Sequence, residues 1–407
     1  MPRIALFLHD FAATGVTRNA VAIANACAER GQKVTLVVAA AVGPMRRDVS
    51  SKVAVHALLD AKKPLPRPLS LVLAIAPLSR YLKAVRPSVF FSAGNHAHPS
   101  AIIAHAAAGR PCPMICRFSN DVVRPKASGV RGILNRGTEE LAAGFYRAVV
   151  RYADRVITVS EELTQRLRRL TPHYAEKITT IRNGVELTDL AEAVPPPDHP
   201  WLNGSNVPVV LGIGRLTAQK NFEGLVQAAA IAARSRPLRL VIIGHGGETA
   251  RRRLYAIARR ESFEHALSLP GYQPNPEAYL KHSALFVLSS HWEGAPNVLL
   301  EALAAGAPIV STREACGAHE ILAGGKFGRL VSSQDIHGMA AAILAALDQP
   351  GDASNVSRDI WLGEFARERM LAAYLTVLEQ VAVPGASLGS DTELMEEPPA
   401  AAEIIEL

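Results

Sequence analysis

Glu293 and Glu301 stand eight positions apart on either side of a helix start, and two carboxylates so placed can grip different parts of one ligand. Phe286-Val287-Leu288 reads as a short buried strand by its β-branched and aromatic content, and it runs into the polar loop Ser289-Ser290-His291-Trp292. Pro296 is predicted to open the helix, since its missing N–H would be unpaired in the first turn anyway. Gly306 suits the helix stop, and Pro308-Ile309-Val310 begins the next strand. Gly294, Ala295, Pro296, Asn297 and Val298 form the turn, whose N–H groups and positive dipole end suit a pyrophosphate. Glu301 lies about 7.5 Å along the helix at roughly 1.5 Å per residue. Its side chain tilts back towards the N-terminus and can reach a ribose diol beside the pyrophosphate, leaving Glu293 to face a sugar. A solvated helix residue and a loop charge would be the plainer reading, but the Gly-x-Pro and the strand-helix-strand frame favour a ligand site.

Cations are predicted to converge on the same place. Gly212-Ile213-Gly214-Arg215 follows a strand, and Lys220-Asn221 precedes a helix that Asn221 can cap. Arg215 and Lys220 would then neutralise a pyrophosphate and its developing charge, although the same spacing also describes surface charges. Gly15, in Ala12-Ala13-Thr14-Gly15-Val16-Thr17-Arg18, would let backbone N–H groups approach a phosphate or sugar, or simply serve a strand-to-helix turn. His96 and His98, in Gly94-Asn95-His96-Ala97-His98, are acceptor-side candidates at another strand end, or else loop and capping residues. No Asp-x-Asp pair follows a strand to hold a metal, and Asp189 and Asp198 stand alone. No metal and no cofactor are therefore expected, and activity should survive chelation.

The elements that must position these groups are α/β units. Short apolar strands alternate with Ala- and Leu-rich helical stretches over 407 residues, enough for two or three domains with cores of their own. Strands are expected at 4–8, 33–38, 88–92, 113–117 and 155–159 in a first Rossmann-like half, residues 1–187, with a helix at about 17–30. A stiff, proline-rich linker within 188–206 follows. The second half, 207–360, carries strands from Val207, at Leu238–Ile243 and at Leu285–Leu288, with a helix at about 335–348. Apolar periodicity from Trp361 to Val381 predicts a last helix, within 361–383, and an acidic tail fills 384–407. That tail holds six acids from Ser387 onwards and no Lys or Arg, so without it the chain stands at +13 rather than the total of +7. Its composition reads as disordered.

No apolar run reaches the ~18 to 20 residues that span a bilayer, and the N-terminal Arg3–Leu8 is too short for a signal core. Cys27, Cys112, Cys116 and Cys316 are few, and Cys112-x3-Cys116 lacks a second pair of zinc ligands. Reduced thiols and a cytoplasmic location are expected.

Glu293-x7-Glu301, within Glu-Gly-x-Pro-x-Val-Leu-Leu-Glu-Ala-Leu-Ala-x-Gly-x-Pro-Ile-Val, resembles the signature of glycosyltransferase family 4. Further landmarks fall in the family's order: Gly15, Val159-Ser160-Glu161, Arg182-Asn183-Gly184-Val185, Gly214-Arg215-Leu216, Lys220-Asn221-Phe222, Gly271-Tyr272 and Gly317-x-x-Glu320. The resemblance spans roughly residues 3 to 380 and implies a GT-B fold, two Rossmann-like α/β domains facing each other across a cleft that holds the ligand. It implies retaining transfer from a nucleoside-diphosphate sugar, the donor substrate, to a hydroxyl of a glycan or lipid-linked acceptor. Arg215 and Lys220 are then the phosphate cations, Gly214 and Glu301 donor residues, and Gly271-Tyr272-Gln273 the place of the nucleobase. The crossing of the last helix back to the first domain is likewise a family expectation. Two departures stand out: the N-terminal loop has one glycine where many members have two, and Arg117-Phe118-Ser119-Asn120 replaces a frequent His. Arg117 could donate hydrogen bonds to the donor phosphate or sugar, but it cannot act as a base. Asn120 joins the acceptor-side candidates.

Charge and apolarity suggest a further partner. Lys62, Lys63, Arg67, Arg80, Lys83 and Arg86 flank the apolar Leu69–Ala76 with no acid among them. Such a helix could rest on an anionic membrane surface, peripheral on its inner face, or pack on the domain sheet. Cations between Arg124 and Arg155 add to it. Nucleic acid is disfavoured, because these basic residues lack interleaved aromatics. A nicotinamide dehydrogenase fails on Thr217 at the third glycine position of its motif. A GT-B epimerase and a non-catalytic sugar-nucleotide-binding partner are the alternatives, and cell-envelope or exopolysaccharide synthesis is the setting that the resemblance implies.

Overall fold

The computed structural model describes residues 3–60, 65–121, 130–187, 194–204, 206–349 and 355–382, and within the helix from Val130 it describes side chains only from Glu140 on. Lys62, Lys63, Arg124, Asp189 and the acidic segment from Ser387 lie outside the described residues.

The N-terminal part alternates strands and helices: β1 (Arg3–Leu8), α1 (Gly15–Glu29), β2 (Lys33–Val38), β3 (Ala54–Ala57), α2 (Arg67–Leu73), α3 (Ile75–Val85), β4 (Val89–Ser92), α4 (His98–Ala107), β5 (Met114–Phe118), α5 (Val130–Tyr152), β6 (Arg155–Thr158), α6 (Glu161–Leu170) and β7 (Ile178–Thr180). The strands form one sheet in the order β3-β2-β1-β4-β5-β6-β7. Pairing is parallel, with Ile4 opposite both Val34 and Val89.

The second sheet is built from β8 (Val209–Ile213), α7 (Phe222–Ala233), β9 (Arg239–Ile243), α8 (Glu248–Arg260), β10 (Leu267–Gly271), α9 (Pro276–His282), β11 (Leu285–Leu288), α10 (Asn297–Ala304), β12 (Ile309–Thr312), α11 (Ala318–Ile321), β13 (Arg329–Val331) and α12 (Ile336–Asp348), followed by α13 (Asn355–Gly363) and α14 (Arg367–Ala382). Its order is β10-β9-β8-β11-β12-β13.

Parallel strands covered on both faces must be apolar on both, and these are. Val210, Leu240, Ile242, Leu285 and Val287 join one core with α7, α8 and α12. Their neighbours Val209, Leu211, Val241, Ile243, Phe286 and Leu288 join another with α9, α10, α11 and α13. At β8 the fit is close: a Cβ on Gly212 would lie 3.0 Å from Leu225 and 3.1 Å from Phe222 of α7, so a larger residue there would have to displace those side chains.

By contacts, the described residues form two compact units, one of Met1–Cys116, Ala153–Arg155 and the chain from Ala372, the other of Arg117–Tyr152 and Val156–Leu371. Within the first, α14 sets Tyr374 edge-on to Phe91 at 6.1 Å, and Gln32 donates to Glu379. The single helix expected from Trp361 to Val381 is instead two, α13 and α14. Val185 explains the break: its N–H donates to Phe365 O at 2.8 Å and its carbonyl accepts from Arg367 N at 3.0 Å, holding Phe365–Arg367 as a strand-like bridge.

The apolar run at Leu69–Ala76 is likewise not one helix. It bends by 42° between α2 and α3. Among the described residues no single helix is long and apolar enough to cross a membrane.

Candidate active site

In the second sheet the strand order reverses between β8 and β11, whose connections run on to opposite sides, to β9 and to β12. Open α/β sheets place ligands at such a point. The loops there carry Gly214-Arg215 after β8 and Ser289–Glu293 after β11.

Glu293 is 8% exposed, and its carboxylate is fully engaged. Oε1 accepts from Lys220 Nζ at 2.7 Å and from Ser290 Oγ at 2.8 Å, while Oε2 accepts from Gln219 Nε2 at 3.1 Å. A buried charge needs such partners, and they fix its direction. Lys220 arrives because the loop closes tightly: Ser289 Oγ donates to Lys220 O, and Gly214 lies so near the lysine stem that a Cβ would meet Lys220 Cε at 2.7 Å. Asn221, with φ 48°, caps α7 by accepting from Gly224 N at 3.3 Å, as its sequence position suggests. The structure thus brings Lys220 and Glu293 together. Gln219 and Ser290 complete the cluster without belonging to any motif that sequence reasoning could single out.

The turn that follows is built on close backbone approach. A Cβ on Gly294 would sit 2.4 Å from Ser119 O and 2.7 Å from Asn120 Cα, so only glycine fits there. Gly294 O accepts from Ser160 Oγ at 2.9 Å, and Glu293 O accepts from Asp121 N. Pro296 is the cap of α10 rather than its first residue, because its ψ of 104° is extended; Asn297 opens the helix. Ala295 and Val298 flank that start, and Glu301 follows, partly buried, one turn on. Glu320, beside Gly317, accepts from Arg182 Nε and from Glu161 N, bracing the loops below the turn.

Arg215 is exposed, its carbonyl accepts from Thr217 N at 2.8 Å, and its guanidinium has no hydrogen-bond or ion-pair partner among the described residues. Nearby, at the ends of β9 and β10, Tyr272 is 47% exposed and stacks on His245 with ring centroids 4.5 Å apart and planes 7° from parallel. His245 was not anticipated from the sequence.

Arg117 departs from expectation. It is 2% exposed, and its Nη2 donates to Asn183 Oδ1 at 2.8 Å rather than reaching out to a ligand. His98, the first residue of α4, is fully buried with its Nδ1 paired with Ser92 Oγ at 2.8 Å. His96 is exposed, and Asn120 is half-buried with its carbonyl accepting from Tyr146. Gly15 does not lend conformational freedom to the loop: it is the first residue of α1, which Thr14 caps by accepting from Thr17 N. The close glycine there is Gly43, whose φ is 127° and whose Cβ would collide with Phe11 at 2.2 Å.

Two other groupings invite chemical readings and fail them. His9 joins Asp10 through Nδ1 at 2.7 Å and Ser70 through Nε2 at 2.5 Å. Burial alone would raise the Asp10 carboxyl, but hydrogen bonds from His9 and Ala12 and the charge of Arg67 hold it below its ordinary value. Ser70 is nonetheless 3% exposed and donates to Arg67 O, so this is no nucleophile. The four cysteines are free, and burial pushes the thiols of Cys27 and Cys112 up to about 12 and raises those of Cys116 and Cys316 as well. Burial thus disfavours the thiolate form on which cysteine nucleophiles depend. Among the described residues no three His, Cys, Asp or Glu side chains gather as a metal site.

Comparison with known proteins bears on family and fold. Residues 13–189 match the family model described as Glycosyltransferase Family 4, and residues 199–360 match Glycosyl transferases group 1. The lipopolysaccharide core biosynthesis glycosyltransferase LpsE of Rhizobium meliloti is 30% identical over 177 residues, 43% of this chain and 50% of that protein. The putative colanic acid biosynthesis glycosyltransferase WcaL of Salmonella typhimurium is 29% identical over 223 residues, 52% of this chain and 51% of that protein. The chain thus matches about half the length of these curated relatives. In fold, a glycosyltransferase from Rickettsia africae superposes with a TM-score of 0.71 at 15% identity, covering 93% of this chain and 98% of that one. Anabaena HepE in complex with UDP gives 0.70 at 16% identity, covering 93% and 100%. The fold is GT-B, and with both halves matched in order the chain belongs to glycosyltransferase family 4, the group 1 glycosyltransferases.

Proposed function

We propose that this chain is a retaining glycosyltransferase that moves a sugar from a nucleoside-diphosphate sugar to a hydroxyl of a glycan or lipid-linked acceptor, in cell-envelope or exopolysaccharide synthesis. The observation that supports this best is the Glu293 carboxylate, buried, held by Lys220, Ser290 and Gln219, and directly preceding the turn of α10. An anion at that turn gains the helix dipole and first-turn N–H groups. Arg215 adds a mobile positive charge, and Lys220 can exchange Glu293 for a phosphate oxygen. The Tyr272–His245 stack offers a face to the nucleobase, and the UDP bound to HepE makes uridine the first base to test. A glycan or lipid-linked acceptor agrees with relatives named for lipopolysaccharide core and colanic acid synthesis, and with a Campylobacter jejuni relative named for transfer to a diphospho-undecaprenol-linked sugar.

In this scheme the acceptor hydroxyl attacks on the face from which the diphosphate leaves, and the leaving oxygen takes the proton. Arg117 cannot serve as a base, and none is needed. Arg215, Lys220 and the helix start supply the positive charge a metal would otherwise bring. Transfer from a panel of nucleoside-diphosphate sugars to polyprenyl-linked and glycan acceptors is therefore expected to persist in EDTA with retained anomeric configuration. Activity abolished by EDTA and restored by magnesium or manganese would contradict the metal-free site, and binding without transfer or hydrolysis would favour the non-catalytic alternative.

A membrane surface belongs to the same proposal. Leu69, Val72 and Leu73 of α2, with Leu65 before it, are 40% to 60% exposed, beside Arg67 and the exposed Arg80, Lys83 and Arg86. Apolar side chains ringed by cations suit an anionic interface. The protein should sediment with phosphatidylglycerol vesicles at low salt, and its absence from the pellet removes this partner.

A further inference from the structure

We infer that Arg117 and Asn183 are positioning residues for the donor, aligning the turn before α10 without touching the diphosphate; this rests on the donor site proposed above. Arg117 and Asn183 are 2% and 5% exposed, and the guanidinium donates to Asn183 Oδ1 at 2.8 Å. A guanidinium has donors only, so it decides which end of the amide is oxygen. Asn183 Nδ2 is thereby turned to Ala295 O at 3.1 Å and to Asn297 Oδ1 at 2.7 Å.

Those are the acceptors flanking the cap and the first residue of α10. Tied to a buried amide, these two oxygens are held by Asn183 and are not left to oppose an anion at the turn. The backbone of Asn183 is itself fixed from the other side. A Cβ on Gly184 would lie 2.7 Å from Arg367 Cα, and Val185 is bridged to Phe365 and Arg367. The relay therefore runs from the end of β5, through a braced loop, to the start of α10. It gives Arg117 a task in which the placing of one N–H donor by the rigid guanidinium matters more than charge.

Asn183→Asp separates positioning from simple packing. The new carboxylate keeps Arg117 as its partner but cannot donate to Ala295 O or Asn297 Oδ1. Arg117→Lys keeps the charge and loses the fork. Binding is measured on the folded chain with UDP, GDP and ADP, using the matching monophosphates as reference and Arg215→Ala as control. Both variants are expected to weaken the best diphosphate about tenfold, the scale of one well-placed hydrogen bond, while monophosphate affinity stays within about threefold. Unchanged diphosphate affinity in both variants, with Arg215→Ala weakened, overturns the positioning role and leaves the donor site standing. An equal fall for monophosphate and diphosphate also overturns it, since that is general loosening. If Arg215→Ala changes nothing, or no diphosphate binds the native chain, the donor site fails and takes this inference with it. Should Asn183→Asp not fold, Arg117→Lys decides by the same criteria.

Discussion

Glu293→Gln is expected to lower turnover by about 10² to 10³ while nucleoside-diphosphate affinity moves by less than about threefold, because a preorganised charge acts chiefly on the transition state. The amide has almost the shape of the carboxylate. Gln219 can turn its own amide to meet it, and Ser290 and Lys220 can still donate to the remaining oxygen. What disappears is the negative charge that the proposed scheme sets against the sugar, on which positive charge would develop as the diphosphate departs. Lys220, no longer held by a carboxylate at 2.7 Å, is at least as available to a phosphate. Steady-state kcat and KM with titrated donor make the check, and near-normal kcat would remove Glu293 from the chemistry.

Arg215→Ala is expected to lower kcat/KM by about 10² to 10³ and leave the melting temperature unchanged. The first part follows from the loss of a cation on the leaving diphosphate. The second follows from its exposure and its guanidinium's lack of a partner among the described residues, since such charges contribute little to folding. Lys220→Ala is a poorer test. Its ammonium and Glu293 are a pair with side chains 15% and 10% exposed, and removing one member of a buried pair costs on the order of 3–5 kcal/mol. Unimpaired kcat/KM in Arg215→Ala, with donor saturable, would show that the exposed guanidinium never meets the phosphate.

Much of the scaffold could be read from the chain because its strands are buried on both faces. Lys33–Val38 and Leu285–Leu288 are strands with the expected bounds. Apolar continuity between turn residues marks them without any tertiary information. What failed depended on contacts distant in sequence. The Trp361–Val381 periodicity cannot reveal that Val185 bridges its middle, and the helix start at Pro296 was displaced by one residue by an extended ψ. The meeting of Lys220 with Glu293 was legible from two loops that follow neighbouring strands, whereas Gln219 and Ser290 were not, since neither type marks a motif and only the fold carries them to one carboxylate. The burial of Arg117 and His98 was not legible either. Both types suit ligand binding at strand ends, and only the fold shows them paired with Asn183 and Ser92 inside the protein.

A crystal structure of the chain with a bound nucleoside diphosphate tests the central claim most directly. The account predicts phosphate oxygens at the first-turn N–H groups of α10, Arg215 swung onto them, and Lys220 shared with or surrendered by Glu293. A nucleotide seated elsewhere, with that turn untouched and Arg215 still in solvent, would contradict it.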